Sequence, residues 1–390
     1  GDYYIKVSDI WNGKFGEEGG GNEDGGNEEE NRPGYVGPGD KAEDGNKKYE
    51  SDGQIAIIPE DFTVSDKEGE TSIDGGLVVI APDKSEFVWI PVKDAIYDGK
   101  KDADLPKVDG DAGVKTYTPL AVYVQTEEGS GYVTILYNFC KNGLYLKYNN
   151  YDNYYQGVDV ISSELEPRIL GETVDTEARL GKIGLTRATF QDEVLKRQNE
   201  MILSIDYNGG FYVARYEVGL ENENFVSKKG ANVETGSWYN LYDKSKKFSQ
   251  INVPSKSVTS NLMYNATYDA MCMWLNEKNV DITTNWDKGL TTQSAVQPSG
   301  TKYPLNDPNG EEDVVKNIYD LRGNGFEYTM NGIWETRITR GGGYFRNNYN
   351  DMGICGRWTA NISDSEADAG HILTTRMVLY INDFGNESGQ

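Results

Sequence analysis

Apolar residues in this chain come in short runs separated by Gly, Asn and Asp, and the spacing inside each run predicts its element. Residues 2–11 alternate, with Tyr3, Ile5 and Val7 on one side and Tyr4, Lys6 and Ser8 on the other, as in a half-buried strand. From Gln54 onward, compact runs bounded by Gly, Asp or Pro predict strands at Ile55–Pro59, Leu77–Ile80 and Phe87–Val92. Residues 94–167 are rich in Tyr, Asn and Asp and read as an insertion that is partly β, with one alternating stretch at Tyr132–Tyr137. The clearest helix spans Thr189–Ile205. Thr189 is positioned to cap it, and Phe190, Val194, Met201, Ile202 and Ile205 share one face. Phe211–Tyr216 predicts a strand and Tyr268–Leu275 a second, short, buried helix. After Asn317 the pattern is turns, short strands and Gly punctuation as far as Tyr380. Two helices among many short strands predict an α+β domain.

Charge divides the chain further. The stretch Glu17–Glu30 holds seven acids, no base, and mostly Gly and Asn between them. Like charges repel and Gly adds backbone entropy, so residues 16–49 read as an acidic linker between a strand at 1–15 and a domain at 50–382, with a tail at 383–390. Overall, 63 Asp and Glu against 38 Lys and Arg leave a net charge of −25. Without a basic cluster, nucleic acid and anionic membrane are poor partners, because both need a positive face. Membrane insertion is not expected either, since no apolar run reaches the ~18–20 residues that cross a bilayer. A chain beginning at Gly1 reads as processed or truncated. One histidine, His371, leaves little for triads or zinc sites built on imidazole. Cys140, Cys272 and Cys355 share no metal spacing, allow one disulfide at most, and read as buried free thiols.

Several phrases together resemble a family. Asn317-Ile-Tyr-Asp-Leu-Arg-Gly-Asn-Gly-Phe-Glu-Tyr-Thr329 is similar to the Asn-x-Tyr-Asp-Met-x-Gly-Asn-Val-Trp-Glu-Trp-Thr stretch of formylglycine-generating-enzyme-like proteins. Arg340-Gly-Gly-Gly-Tyr344 resembles their Arg-Gly-Gly-Ser-Tyr, and Thr375–Tyr380 their closing strand. Phe211–Glu217 and Tyr268-Asp-Ala270 match two upstream phrases. The opening, with Phe87–Val92, looks most like the branch common in surface proteins of Gram-positive Clostridia, whose members often begin with a pilin-like helix. The resemblance implies a C-type-lectin-like fold over about residues 50–382. It does not imply the enzyme's chemistry. Enzymes of the family oxidise a substrate cysteine with a copper-holding cysteine pair just after the Arg-Gly-Gly phrase. Here that segment offers only Cys355, and one thiolate cannot replace two on a soft metal. No copper and no catalysis are therefore expected.

What the segment does offer is a surface. Arg346, Asn347, Asn348, Tyr349, Asn350, Asp351, Trp358 and Asn361, with Asp364 nearby, combine amphipathic rings with short amides, the chemistry of adaptable binding surfaces. The same residues also suit an ordinary solvated loop. In relatives diversified by retroelements this segment forms the ligand face, so the resemblance implies a protein or glycan ligand there. It also implies a structural calcium near the Gly-Asn-x-x-Glu phrase, which maps to Asn324 and Glu327; a turn without metal explains the same residues. Tyr148, Tyr151, Tyr154 and Tyr155 could stack on a sugar or cover a core edge. Arg357 and Arg376 read as ties between loop and core. At the other end, Tyr3, Ile5, Val7, Ile10 and Trp11 could add to a neighbour's sheet and build a filament by strand donation. The expectation is thus a non-catalytic extracellular or cell-surface adhesion module. A filament subunit and a copper-dependent oxidoreductase are the alternatives.

Overall fold

A computed structural model describes residues 34–92, 96–97, 121–126, 129–136, 176–282, 296–303, 308–333, 336–342, 354, 357–361 and 373–382. The assembly candidates Tyr3, Ile5, Val7, Ile10 and Trp11, the acidic run 17–30, and the tail 383–390 lie outside the described residues.

The chain first forms a hairpin, Lys47–Ser51 (β1) on Gln54–Ile58 (β2), then Thr63–Val64 (β3), Val78–Ile80 (β4) and Glu86–Pro91 (β5). Ile96–Tyr97 (β6), Ala121–Thr126 (β7) and Gly129–Leu136 (β8) make a three-stranded sheet within the region read as an insertion. Two helices follow, Glu177–Gly181 (α1) and Arg187–Asn208 (α2), then Gly210–Ala214 (β9) and the short pair Gly219–Glu221 (β10) and Asn224–Val226 (β11). Trp238–Asn252 (α3), Val258–Leu262 (β12) and Asn265–Glu277 (α4) come next. Two minimal ladders, Lys302–Tyr303 (β13) with Glu311–Glu312 (β14) and Val314–Val315 (β15) with Ile318–Tyr319 (β16), precede the last sheet. That sheet takes Phe326–Ile333 (β17), Thr336–Arg340 (β18), Arg357–Asn361 (β19) and Leu373–Thr375 (β20), and Met377–Ile381 (β21) closes the described fold. Few helices and many short strands make it an α+β protein.

The central sheet is antiparallel in the order β12-β21-β9-β5-β4-β3. Every residue of β9 and β21 is buried, and so are Phe87–Ile90 of β5. Cover on both faces explains why these strands read as continuous apolar runs and not as alternations. Helix α2 packs on β9, β12 and β21, while α4 touches both β5 and β17 and so joins the two sheets. Phe190 meets Trp238 and Tyr242 edge-on at 5.9 and 5.6 Å, and those two rings stack at 5.0 Å.

Three expectations change. Helix α2 begins at Arg187, two residues before the expected start. Its cap is Thr186, and Thr189 completes a reciprocal capping box by accepting the Thr186 amide at 2.8 Å. Helix α3 escapes a search for apolar periodicity because Ser245, Lys246 and Ser249 occupy part of its buried face. Residues 34–49, assigned to the linker by composition, lie against the globular part. The Ala42 amide donates to the Phe62 carbonyl at 2.8 Å, Gly39 donates to Val64 at 3.0 Å, and Ala42 is fully buried. Backbone pairing, which composition does not report, holds them there.

No helix among the described residues is long and apolar enough to cross a membrane. Cys272 is buried and free; Cys140, Cys355 and His371 lie outside the described residues.

Candidate functional site

The four-stranded sheet has the order β19-β18-β17-β20, with β20 parallel to β17 and the other pairs antiparallel. Its register places Thr374, Glu327, Arg340 and Arg357 opposite one another in a single row across all four strands. Because Arg340 pairs with Arg357, residues 341–356 leave and re-enter the sheet at adjacent positions. The candidates Arg346, Asn347, Asn348, Tyr349, Asn350 and Asp351 fall in this connection and lie outside the described residues. The backbones of Trp358 and Asn361 sit on β19, opposite Thr339 and Thr336. Among the expected face residues, the structure places the backbones of Trp358 and Asn361 on the edge strand β19. Asp364 and the Tyr148–Tyr155 cluster are outside the described residues.

Strand β18 carries two buried arginines into this edge. The Arg337 guanidinium lies 3.9 Å from the Trp238 ring centre of α3, and that of Arg340 lies 4.5 Å from Tyr268 of α4. A guanidinium on a ring face in a dry interior gains roughly 2 kcal/mol or more. Arg340 also donates toward the Asn265 side chain at 3.4 Å. At Gly341 the backbone turns left-handed (φ 75°), and an added Cβ would stand 3.0 Å from both the Leu321 carbonyl and the Tyr268 hydroxyl. The connection thus departs from a tightly fitted point where a side chain would crowd fixed atoms.

Behind the row lies a cluster of buried charge. Arg376, fully enclosed between β20 and β21, donates from Nε and Nη2 to Glu327 Oε1 at 2.9 and 2.6 Å. It also donates to the carbonyls of Ala214 at 2.9 Å and Tyr319 at 2.7 Å, so one side chain ties β21, β17, β9 and β16. This bears out the reading of Arg376 as a tie between loop and core. Asp320 accepts from Ser299 Oγ and the Gly300 amide, both at 2.7 Å, and from the Tyr303 hydroxyl at 2.8 Å. Asp313 accepts the Arg322 Nε at 2.7 Å and its backbone amide at 2.6 Å. Glu217 accepts the Gly325 amide at 2.9 Å and the Asn324 side-chain amide.

Burial sets the protonation of these groups. It pushes the Glu217 carboxyl well up, with Asp320 and Glu327 adding repulsion. It pushes Glu327 up against the pull of Arg376, and Asp320 up to about 6. In the sequence Glu217 and Asp320 carry no role beyond their place in the quoted phrases, and Asp313 lies outside them. In the structure Lys316, Asn317, Asp320 and Asn324 all take positive φ, which Asn and Asp tolerate best. Four such residues in one short stretch mark a loop bent around something it must satisfy.

The structure puts both metal candidates in this cluster and gives each a protein partner. Asn324 Oδ1 accepts the Gln297 amide at 2.7 Å, and Glu327 is paired to Arg376. No protein-family model and no curated protein matches the chain.

Proposed function

We propose that the protein is a non-catalytic, lectin-like binding module that presents residues 346–361 to a protein or glycan outside the cell. The observation that supports this most is the Arg340–Arg357 pairing, which closes the base of the Asn- and Tyr-rich connection on a sheet pinned by buried cations. Recognition loops work when a rigid frame holds their ends, because less ordering entropy is then lost on binding. Tyr349 and Trp358 supply amphipathic area, and the neighbouring amides supply directional hydrogen bonds. The location outside the cell and the C-type-lectin-like reading of the α+β fold rest on the motif resemblance.

The test replaces residues 345–351 with a Gly/Ser segment of equal length and compares binding to an immobilised glycan panel and to intact cells. Loss of binding with an unchanged unfolding midpoint supports the reading. Binding equal to that of the unaltered protein contradicts it.

A further inference from the structure

The resemblance that implies a lectin-like fold also implies a calcium ion at Asn324 and Glu327, and the residues present can be checked against that ion oxygen by oxygen. Calcium takes six to eight oxygen ligands at about 2.3–2.6 Å, drawn from carboxylates, carbonyls and water. The cluster contains four buried carboxylates, those of Glu217, Asp313, Asp320 and Glu327. Both oxygens of Glu217 accept hydrogen bonds, one from the Gly325 amide and one from Asn324 Nδ2. Both oxygens of Asp313 are held by Arg322. Both oxygens of Asp320 are held, by Ser299, Gly300 and Tyr303. Of the eight carboxylate oxygens, seven are thus engaged, and only Glu327 Oε2 has no hydrogen-bond partner.

The Asn324 amide points the same way. Its oxygen accepts the Gln297 backbone N–H at 2.7 Å, and its nitrogen donates to the Gln297 carbonyl at 3.1 Å as well as to Glu217. Gln297 fixes that orientation, since reversing the amide would set N–H against N–H and oxygen against oxygen. A donor nitrogen therefore faces the carboxylate where a metal would need an acceptor oxygen. Among the described residues, no group of three or more His, Cys, Asp or Glu side chains is arranged to hold a metal ion. The Asn324 and Glu327 set does not fit calcium.

A positive group already stands at Glu327. We propose that the Arg376 guanidinium, and not a bound metal ion, is the cation resident at Glu327, so that the sheet whose strands flank residues 341–356 keeps its geometry without calcium. Arg376 is suited to this. Its planar fork gives two donors to Glu327 Oε1, and its remaining reach satisfies two carbonyls on different strands. A compact divalent ion could not also carry those carbonyls without drawing three separate segments inward. This inference concerns what holds the fold and stands or falls separately from the ligand-binding reading.

The experiment is thermal unfolding of the full chain in excess EGTA and in about 10 mM calcium chloride. That concentration is far above the dissociation constants of ~0.1–1 mM typical of extracellular calcium modules. The readout is selective, because an ion bound equally by the folded and unfolded chains stabilises neither state. The expected result is the same midpoint in both buffers to within about 1 °C, as mass action requires when the folded state has no calcium site. A midpoint that rises by several degrees with calcium, and loses that rise in Glu327→Gln, would overturn the proposal. A rise that persists in Glu327→Gln comes from another site and leaves Arg376 as the resident cation here. Should Glu327→Gln not fold, terbium luminescence on the unaltered protein decides. Sensitised emission quenched by competing calcium in Asn324→Ser as strongly as in the parent supports the proposal, and emission abolished by that substitution contradicts it.

Discussion

Replacing Arg376 with Met removes a fully buried cation while keeping much of its volume. Three acceptors then lose their donors at once: Glu327 Oε1, the Ala214 carbonyl and the Tyr319 carbonyl. Breaking a buried ion pair by removing one partner costs about 3–5 kcal/mol, because the remaining charge has neither water nor counter-charge. Each carbonyl left dry adds roughly 1–3 kcal/mol, although the terms overlap once the site relaxes or a proton binds Glu327. The sum expected for Arg376→Met is about 5 kcal/mol, a large share of the ~5–15 kcal/mol that holds an ordinary domain together. Adding Glu327→Met removes the stranded carboxylate. Replacing both members of a buried pair with apolar groups is often close to neutral, so the double variant should recover at least ~2 kcal/mol over the single one. Urea unfolding followed by Trp fluorescence measures both steps, since Trp89 and Trp238 are buried in the core, and equal m-values justify the comparison. The reasoning fails if Arg376→Met loses less than about 1 kcal/mol, or if the double variant is no more stable than the single.

Three further outcomes follow from the same packing and buried charge. The Asp320 carboxyl is raised from its usual range to about 6 in the folded protein, chiefly by burial, so the native state binds its proton more tightly than the unfolded chain does. The contribution of this group to stability is therefore fully present below about pH 4 and lost as pH rises through about 6, and Asp320→Asn should remove that component of the pH dependence in a series of urea titrations. Gly76 has φ 98°, and a Cβ there would stand 2.1 Å from the Lys316 carbonyl, so Gly76→Ala should cost roughly 2–4 kcal/mol in the same assay. Phe190→Ala empties a fully buried site between Trp238 and Tyr242 and should cost about 3–5 kcal/mol, with a shift in Trp emission.

How much of this was legible in the sequence depends on what decides each element. Strands β5, β9 and β21 announce themselves because burial on both faces leaves only apolar residues, as in Phe87–Ile90 and Met377–Ile381. Helix α3 does not, because its inward side includes Ser245, Lys246 and Ser249. Two of these meet partners elsewhere in the chain: Lys246 pairs with Glu193 at 3.2 Å, and the Ser249 hydroxyl lies 3.1 Å from that of Ser260. The role of Arg376 was legible because a lone charge inside an apolar strand must be paired. Its partner was not, since nothing local links Arg376 to Glu327. The same holds for Glu217, which lies between Tyr216 and Val218 in sequence and meets Asn324 and Gly325 only through the fold. The calcium expectation turns on a related point. Motif spacing gives the residue types at a site but not the direction an amide points, and here Gln297 determines that direction.

Binding by the unaltered protein and by the double variant Tyr349→Ala, Trp358→Ala bears most directly on the central claim. The two are compared on an immobilised glycan panel and on intact cells, after equal unfolding midpoints have been established. Loss of both rings should remove the apolar area of the face and with it roughly 2–4 kcal/mol of affinity, a fall of about thirtyfold or more. Undiminished binding by the double variant would contradict the account.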